Sequence, residues 1–146
     1  MKAKMTSVLR LLMIISAGLT IHGCADTADK PKDVGEKFIH ARLSGDYDLA
    51  AEYVVAPRRE DFRRWIAEQA LAVVVVESIE FMGFQEGRRG FCYQVQGDFD
   101  HESPGAESRC ISLEVDEWRG RPGVGRWDWK MIGSRCPDDV VMPEGW

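Results

Sequence analysis

The sequence predicts an α+β domain in which three N-terminal helices precede a four-stranded antiparallel meander. Two observations support this class. Apolar residues recur at helical spacing between positions 33 and 70, and from Val73 onwards they alternate with the period of two that is typical of strands. Strands joined through short loops pair antiparallel. A chain in which helices come first and such strands follow therefore belongs to the α+β class.

Three helices are expected, each with its own start or stop signal. The first runs from about Asp33 to Leu43 and ends at Ser44-Gly45, where glycine can adopt the left-handed conformation. The second is capped by Asp46 and stops before Pro57, which lacks the backbone N–H that a helix interior needs. The third begins near Arg58 and is the clearest amphipathic helix. Its apolar face comprises Phe62, Trp65, Ile66 and Ala70.

Four strands are expected after the helices. The valine run Val73 to Val76 opens the first, and its β-branched side chains suit a strand covered on both faces or the rim of a hydrophobic cavity. The other strands are predicted at 91–96, 109–116 and 126–133, with turns or loops at 85–90, 98–105 and 120–125. Residues 138–146 show no period and are predicted to be a C-terminal tail.

The start of the chain has the features of a secretory address. Lys2, Lys4 and Arg10 precede an uncharged core, Leu11 to Ile21, which is shorter than the roughly 20 apolar residues that a membrane-spanning helix needs. The following Ile21-His22-Gly23-Cys24 resembles the lipobox of bacterial lipoproteins, in which a signal peptidase cuts before the cysteine and lipid is attached to it. The resemblance implies a signal peptide at 1–23, lipid on Cys24 and a lipidated tether at 24–32. A signal cut elsewhere, which would release a soluble periplasmic protein, and an uncleaved anchor are the alternatives.

The lipobox resemblance also implies a location. In the lipoproteins that this leader is similar to, an aspartate after the lipidated cysteine favours retention in the inner membrane, and here Ala25 follows Cys24. We therefore expect a lipid-anchored protein of the bacterial cell envelope, at the outer membrane and facing the periplasm.

The charge balance argues against nucleic acid as a partner. The chain has 19 Lys and Arg against 24 Asp and Glu, a net charge of −5, and the charges of the leader are all positive. The mature chain is therefore more acidic still, which disfavours nucleic acid or anionic lipid as its main partner. The arginine pairs at 58–59, 63–64 and 88–89 could form a local anion site, although a solvated face is the simpler interpretation.

Three cysteines remain if Cys24 carries lipid, in a compartment where disulfides persist. Alternation places Cys92, Cys110 and Cys136 on the polar side of the sheet, and a meander brings the start of the third strand beside the end of the fourth. The preferred disulfide is therefore Cys110 with Cys136, while a Cys92–Cys110 bridge and a fully reduced state stay open. Cys92 is then expected to be a partly buried structural thiol.

No catalytic, metal or cofactor site stands out in the sequence. His40 fits a surface or groove histidine better than a catalytic base, and the acidic loop around His101 fails the calcium-loop pattern at Ser103. The glycines of 120–125 open a strand and so predict a hairpin in place of a phosphate-binding loop. Large aromatic side chains are the candidates for lining a ligand pocket, with plain core filling as the alternative. They are Trp65, Tyr93, Trp127 and Trp129.

Two segments carry a resemblance to a known superfamily. Phe38–Val54 reads FIHARLSGDYDLAAEYV and Arg126–Gly133 reads RWDWKMIG. They are similar to the opening helix pair and the last strand of the nuclear-transport-factor-2-like superfamily, which has a cone-shaped, cystatin-like fold. The resemblance implies a strongly curved sheet wrapped around the helices, with a pocket between them, in a domain spanning 33–137. The superfamily includes isomerases and dehydratases that move a proton with a pocket Asp, His or Tyr, and the polar candidates here are Tyr47, Tyr93 and Asp128.

Three functions are compatible with these observations. We expect a non-catalytic envelope lipoprotein that binds a ligand or a protein. Its partners would be the membrane, through lipid on Cys24, and an apolar small molecule or an envelope protein. An isomerase or dehydratase with a cone-shaped pocket is the first alternative. An inhibitor or interaction protein that acts through its surface is the second.

Overall fold

The computed structural model describes residues 29–85, 90–99 and 107–144. Within these ranges the helices come first: α1 spans Pro31–Leu43, α2 spans Tyr47–Glu52 and α3 spans Arg59–Ala67, with a 3-10 turn at Ala56–Arg58 before α3. The leader with its predicted lipid site at Cys24, the segment 86–89 and the loop 100–106 with His101 lie outside the described residues. No helix in the described part of the chain is long and apolar enough to cross a membrane.

Each helix ends where its sequence supplies a signal. Gly45 follows α1 with a φ of +80°, the left-handed conformation expected of a glycine at a helix end. The carboxylate of Asp46 accepts a hydrogen bond from the backbone N–H of Leu49 at 3.1 Å and so caps α2. Helix α3 starts one residue after Arg58 but ends at Ala67, so the predicted Ala70 lies beyond it.

In the part of the chain that the structure describes, five strands form one sheet. They are β1 (Val75–Gln85), β2 (Gly90–Asp98), β3 (Glu107–Trp118), β4 (Arg121–Gly133) and β5 (Val140–Val141). The order is β4-β3-β2-β1-β5, and neighbouring strands pair antiparallel. A parallel bridge also joins Val54 to Val124. The α+β class is thereby confirmed, whereas the predicted number of four strands is wrong, because residues of the expected tail add a fifth strand at the edge of β1.

Two strand predictions are corrected in detail. Of the two alternatives for the valine run, coverage on both faces is wrong, since Val74 is 7% exposed while Val75 is 68% exposed, and the strand begins only at Val75. Val74 instead lies along a largely apolar groove, in agreement with the second alternative. The turn expected at 120–125 is a two-residue turn, Arg119 and Gly120, both with positive φ. Positive φ at both positions matches the right-handed twist of the flanking strands, so β4 starts directly afterwards.

The core lies between the helices and one face of the sheet. Phe38 and Ile39 of α1 and Phe62 of α3 are fully buried. From the sheet side they meet the buried Tyr93, Val95, Ile111 and Leu113, the side chains that alternation placed on the apolar face. The ring of Phe38 makes edge contacts with Phe62 at 5.6 Å and with Trp129 at 6.1 Å between centroids. Helix α1 is therefore joined through aromatic rings to both α3 and β4.

The opposite face of the sheet is crossed by residues 134–141, which we call the C-terminal strap. The strap leaves the edge strand β4 and ends as β5 on the other edge, beside β1. The predicted disulfide between Cys110 and Cys136 is present and fastens the strap to β3. The Gln94 side chain of β2 donates to the carbonyl oxygen of Ser134 at 2.8 Å and accepts from the N–H of Cys136 at 3.0 Å.

Cys92 departs from the alternation of side chains along β2. Alternation places this residue on the polar face, yet its side chain is fully buried and retains its thiol. Gly83 pairs with Cys92 across β1 and β2, and a Cβ at Gly83 would lie only 2.6 Å from the carbonyl oxygen of Val141. The end of the strap therefore lies directly beside β1 at the Gly83–Cys92 pair.

Candidate functional site

Three of the four aromatic residues predicted to line a pocket lie together. Trp65 of α3 and Trp127 of β4 have ring centroids 6.4 Å apart. The guanidinium carbon of Arg42 lies 3.7 Å from the centroid of Trp129 and 5.0 Å from that of Trp65. The guanidinium carbon of Arg58 lies 4.7 Å from the centroid of Trp127. The tryptophans therefore form one cluster with two arginines, and stacking on an aromatic face stabilises such a cation by about 0.5–2 kcal/mol.

Tyr93 lies apart from this cluster. It is fully buried under α1, where its hydroxyl donates a hydrogen bond to the carbonyl oxygen of Lys32 at 2.9 Å. Helix α1 approaches so closely that a Cβ at Gly35 would lie 2.0 Å from the Tyr93 hydroxyl oxygen. The structure therefore places Tyr93 in the core and separates it from the tryptophan cluster.

Because Tyr93 is buried, the protein is expected to lose stability at alkaline pH. Burial, with a further contribution from the carboxylates of Glu36 and Asp33, raises the pKa of Tyr93 above its ordinary value of 10.0. In the unfolded chain the phenol loses its proton near pH 10, whereas in the folded protein it stays neutral. This contribution to stability is therefore complete below pH 10 and is lost as the pH rises above 10, by up to about 1.4 kcal/mol per pH unit.

We predict that Tyr93→Phe flattens this decline. Urea denaturation of the wild type between about pH 9 and 11 should show a falling free energy of unfolding, and the variant should show a shallower slope. Tyr47→Phe is the matched control, because Tyr47 is only partly buried, at the start of α2. An equal slope in wild type and Tyr93→Phe would contradict the assignment.

A groove of about 300 Å³ opens beside the tryptophan cluster. Its size is at the small end of the range found for ligand sites. Two arginines line it, Arg42 from α1 and Arg109 from β3. The other described residues along it are apolar: Leu43, Leu71, Ala72, Val74, Phe99 and Trp129. We call this site the Arg42 groove.

Arg42 is a buried cation without a carboxylate partner in the described part of the chain. Its side chain is 9% exposed, and its Nη1 donates to the carbonyl oxygen of Trp127 at 2.7 Å. Its Nε–H is buried and has no acceptor among the described residues. Burial lowers the pKa of Arg42 to about 10, against smaller opposing effects of Tyr47 and Asp128. A buried donor without an acceptor costs about 1–3 kcal/mol. A negative charge beside the guanidinium would also be stabilising, because burial disfavours the unpaired cation.

The second arginine of the groove is already neutralised. Arg109 forms an ion pair with Glu107, and its guanidinium carbon lies 5.7 Å from the centroid of Phe99. In the Arg42 groove, the charge of Arg109 is therefore neutralised by a carboxylate, whereas Arg42 has no carboxylate partner among the described residues.

Arginines on α3 behave as the sequence suggested for a solvated face. Arg63 pairs with Glu60 and with Glu52, and Arg64 pairs with Asp61. These side chains are substantially exposed, so each pair contributes little to stability. Arg58 differs, because it stacks on Trp127 and donates to the carbonyl oxygen of Gly125.

The polar residues proposed for an enzyme, Tyr47, Tyr93 and Asp128, are not among the described residues that line the Arg42 groove. His40 lines a separate groove of about 460 Å³ together with Glu36 and Lys37. The side chain of Asp128 is largely exposed, and its Oδ1 lies 3.6 Å from Nε of Arg126. Tyr93 is in the core. In the ranges that the structure describes, no group of three or more His, Cys, Asp or Glu side chains is arranged to hold a metal ion.

Sequence reasoning missed Arg42, although a signal was available. Arg42 follows Phe38 by four residues, which places both side chains on the same face of α1. Because Phe38 is apolar and lies at helical spacing from Val34 and Ala41, an arginine four residues after it is a charged residue on a buried helix face. Such an arginine needs partners from other parts of the chain, which here are Trp65, Trp127 and Trp129.

Comparisons with known proteins do not assign a function to this chain. No protein-family model, no curated protein and no solved structure matches the chain. The cluster of Arg42 with three tryptophans, beside an apolar groove, is therefore the observation from which a function must be argued.

Proposed function

We propose that the chain is a lipid-anchored envelope protein whose folded domain binds a small ligand in the Arg42 groove without catalysing a reaction. The observation that carries the proposal is the groove itself, in which apolar side chains end at a buried guanidinium that lacks a carboxylate partner among the described residues. Ligand sites of proteins commonly combine an apolar lining with a few fixed polar groups.

The chemistry of the groove supports binding over catalysis. The described lining consists of two arginines and six apolar residues, with no carboxylate, histidine or thiol among them. A general base or a nucleophile of the usual kinds must lie within hydrogen-bond distance of the reacting atom. The lining instead suits a surface that orients and shields a ligand.

The proposal includes a fold of the nuclear-transport-factor-2-like type. Its support is the packing of α1 and α3 on one face of an antiparallel sheet, together with the resemblance of Phe38–Val54 and Arg126–Gly133 to that superfamily. Irregular register in β1, at Val76/Ser78 and Phe81/Gly83, is of the kind that bends a strand. A sheet curved in this way would enclose the helices and leave a groove at one end.

The proposed location follows from the leader. Cleavage before Cys24 and lipid on this residue would anchor the chain in the outer membrane, with the domain facing the periplasm. Helix α1 begins at Pro31, so the tether would keep the domain within roughly 25 Å of the lipid, since an extended residue spans about 3.5 Å.

The anchor is tested by expressing the full chain in a bacterium with two membranes and feeding an alkyne-tagged fatty acid. We expect wild type to be labelled and to sediment with the outer membrane, with an intact mass that starts at a lipidated Cys24. Cys24→Ala should lose the label, whereas Cys92→Ala, which alters a cysteine of the folded domain, should keep it. An unlabelled product that still carries Met1 in the cytosol would overturn the location.

Binding is tested on the same membrane-purified protein. Native mass spectrometry after gentle release should show a small molecule bound to wild type, and less of it bound to Ala72→Asp, which places a charge at an exposed position of the groove. Turnover of that molecule on incubation would instead favour the isomerase or dehydratase alternative. A bound envelope protein with an empty groove would favour the interaction protein.

A further inference from the structure

We propose that the ligand of the Arg42 groove is an amphiphilic monocarboxylate, whose carboxylate is bound by Arg42 and whose hydrocarbon part lies along the apolar wall. This inference rests on the proposed function, because it names the class of molecule that the same groove would take. It adds that the ligand must carry a negative charge, which an apolar pocket alone would not require.

Arg42 carries a positive charge that is not paired with a carboxylate among the described residues. Arg42 is 9% exposed, one of its donors is used by the carbonyl oxygen of Trp127, and its Nε–H has no acceptor among the described residues. A guanidinium presents its donors in a planar fork that matches the two oxygens of a carboxylate. The Nε–H itself is enclosed, so a carboxylate in the groove would supply the missing negative charge.

The guanidinium of Arg42 is held in place before a ligand binds. The guanidinium is stacked on Trp129 and Trp65, and its contact with the Trp127 carbonyl oxygen holds it to β4. Most of the conformational freedom of the arginine is therefore already lost before a ligand arrives. Binding to a side chain that is held in place costs less entropy than binding to a flexible one.

The lining of the groove also bears on the charge and shape of its ligand. Glu107 neutralises Arg109, so the described lining offers one uncompensated positive charge. A carboxylate carries a single negative charge and matches it, whereas a phosphate monoester carries about −1.5 to −2 at neutral pH and would leave an excess. The remaining lining, which includes Leu71, Val74 and Phe99, suits a hydrocarbon chain.

The test compares ligands that differ only in the head group. Full-length protein in lipid nanodiscs is titrated by calorimetry with hexanoate, 1-hexanol and hexyl phosphate, and empty nanodiscs serve as the blank. We expect hexanoate to bind about 10- to 100-fold more tightly than 1-hexanol, the ratio for hydrogen bonds to a charged group. Arg42→Gln should bind hexanoate and 1-hexanol with similar affinity. Arg42→Lys should give an intermediate ratio of the two affinities, because lysine keeps the positive charge but lacks the planar pair of N–H donors.

Two further variants make the test specific. Arg63→Gln removes an exposed arginine of α3 that pairs with Glu60, and it should leave the ratio of acid to alcohol unchanged. If Arg42→Gln fails to fold, Ala72→Asp replaces it, since Ala72 is exposed on the groove and a carboxylate there should weaken hexanoate more than 1-hexanol.

The outcomes separate this inference from the function on which it rests. Equal affinities of hexanoate and 1-hexanol for the wild type would overturn the carboxylate while leaving a ligand-binding groove. Tighter binding of hexyl phosphate would overturn the preference for a single negative charge. Failure of all three compounds to bind, together with an empty groove in the membrane-purified protein, would overturn the proposed function itself.

Discussion

Phe38→Ala should lower the free energy of unfolding by about 3–5 kcal/mol, the range for removing a fully buried aromatic ring. Phe38 is fully buried, and its ring contacts Phe62 of α3 and Trp129 of β4. Alanine would leave a cavity where α1 meets both elements, and neighbouring rings that belong to other elements cannot move freely to fill it. Urea denaturation of the full chain at neutral pH measures the change.

The matched control for this prediction is Leu49→Ala. Leu49 lies on the short helix α2 and is 43% exposed, so its truncation should change the free energy of unfolding by less than about 0.5 kcal/mol. A loss of less than about 1 kcal/mol for Phe38→Ala would show that the interior repacks around the vacancy, and it would contradict the close aromatic packing described above.

Removing the disulfide should lower the free energy of unfolding by about 3 kcal/mol. Cys110 and Cys136 are separated by 26 residues, and a bridge closing a loop of this length restricts the unfolded chain by about that amount. Cys136→Ser should therefore shift urea denaturation as far as adding a reductant shifts the wild type. A reductant should have no further effect on the variant, which makes the variant its own control.

The same change should have a local effect on the strap. Once the bridge is gone, the contacts of Gln94 with Ser134 and Cys136 and the short pairing of β5 with β1 are what hold residues 134–141 to the sheet. We expect faster hydrogen exchange and proteolysis in this segment than in β2 or β3. A strap that stays equally protected in Cys136→Ser would show that β5 and Gln94 suffice to hold it.

Helices and strands were predictable from the sequence because their signals are local. The cap at Asp46 and the left-handed glycine at Gly45 act within a few residues of the elements they delimit. The disulfide was predictable for a related reason, since a meander and the alternation of side chains bring Cys110 and Cys136 to one place. The fifth strand was not, because two residues are too few to show a period and their pairing depends on where the strap crosses the sheet.

The candidate site was predictable only in part. Trp65, Trp127 and Trp129 were recognised as large aromatic residues, but their residue type does not reveal whether they fill a core or line a groove. Their meeting with Arg42 depends on contacts between α1, α3 and β4, which are distant along the chain. Tyr93 had the same sequence signal and lies in the core, because helix α1 passes directly over it at Gly35.

The sequence by itself determined the α+β class, most element boundaries and the bridge between Cys110 and Cys136, because these depend on short-range periodicity and on strand alternation. Only the tertiary structure decided which side chains enclose Arg42, that Cys92 is fully buried and that a groove opens at Trp129. Burial results from which elements pack against each other, so a residue that looks solvent-facing in the pattern can be enclosed by a distant segment. The chemistry proposed for this protein depends on that enclosure of a single arginine.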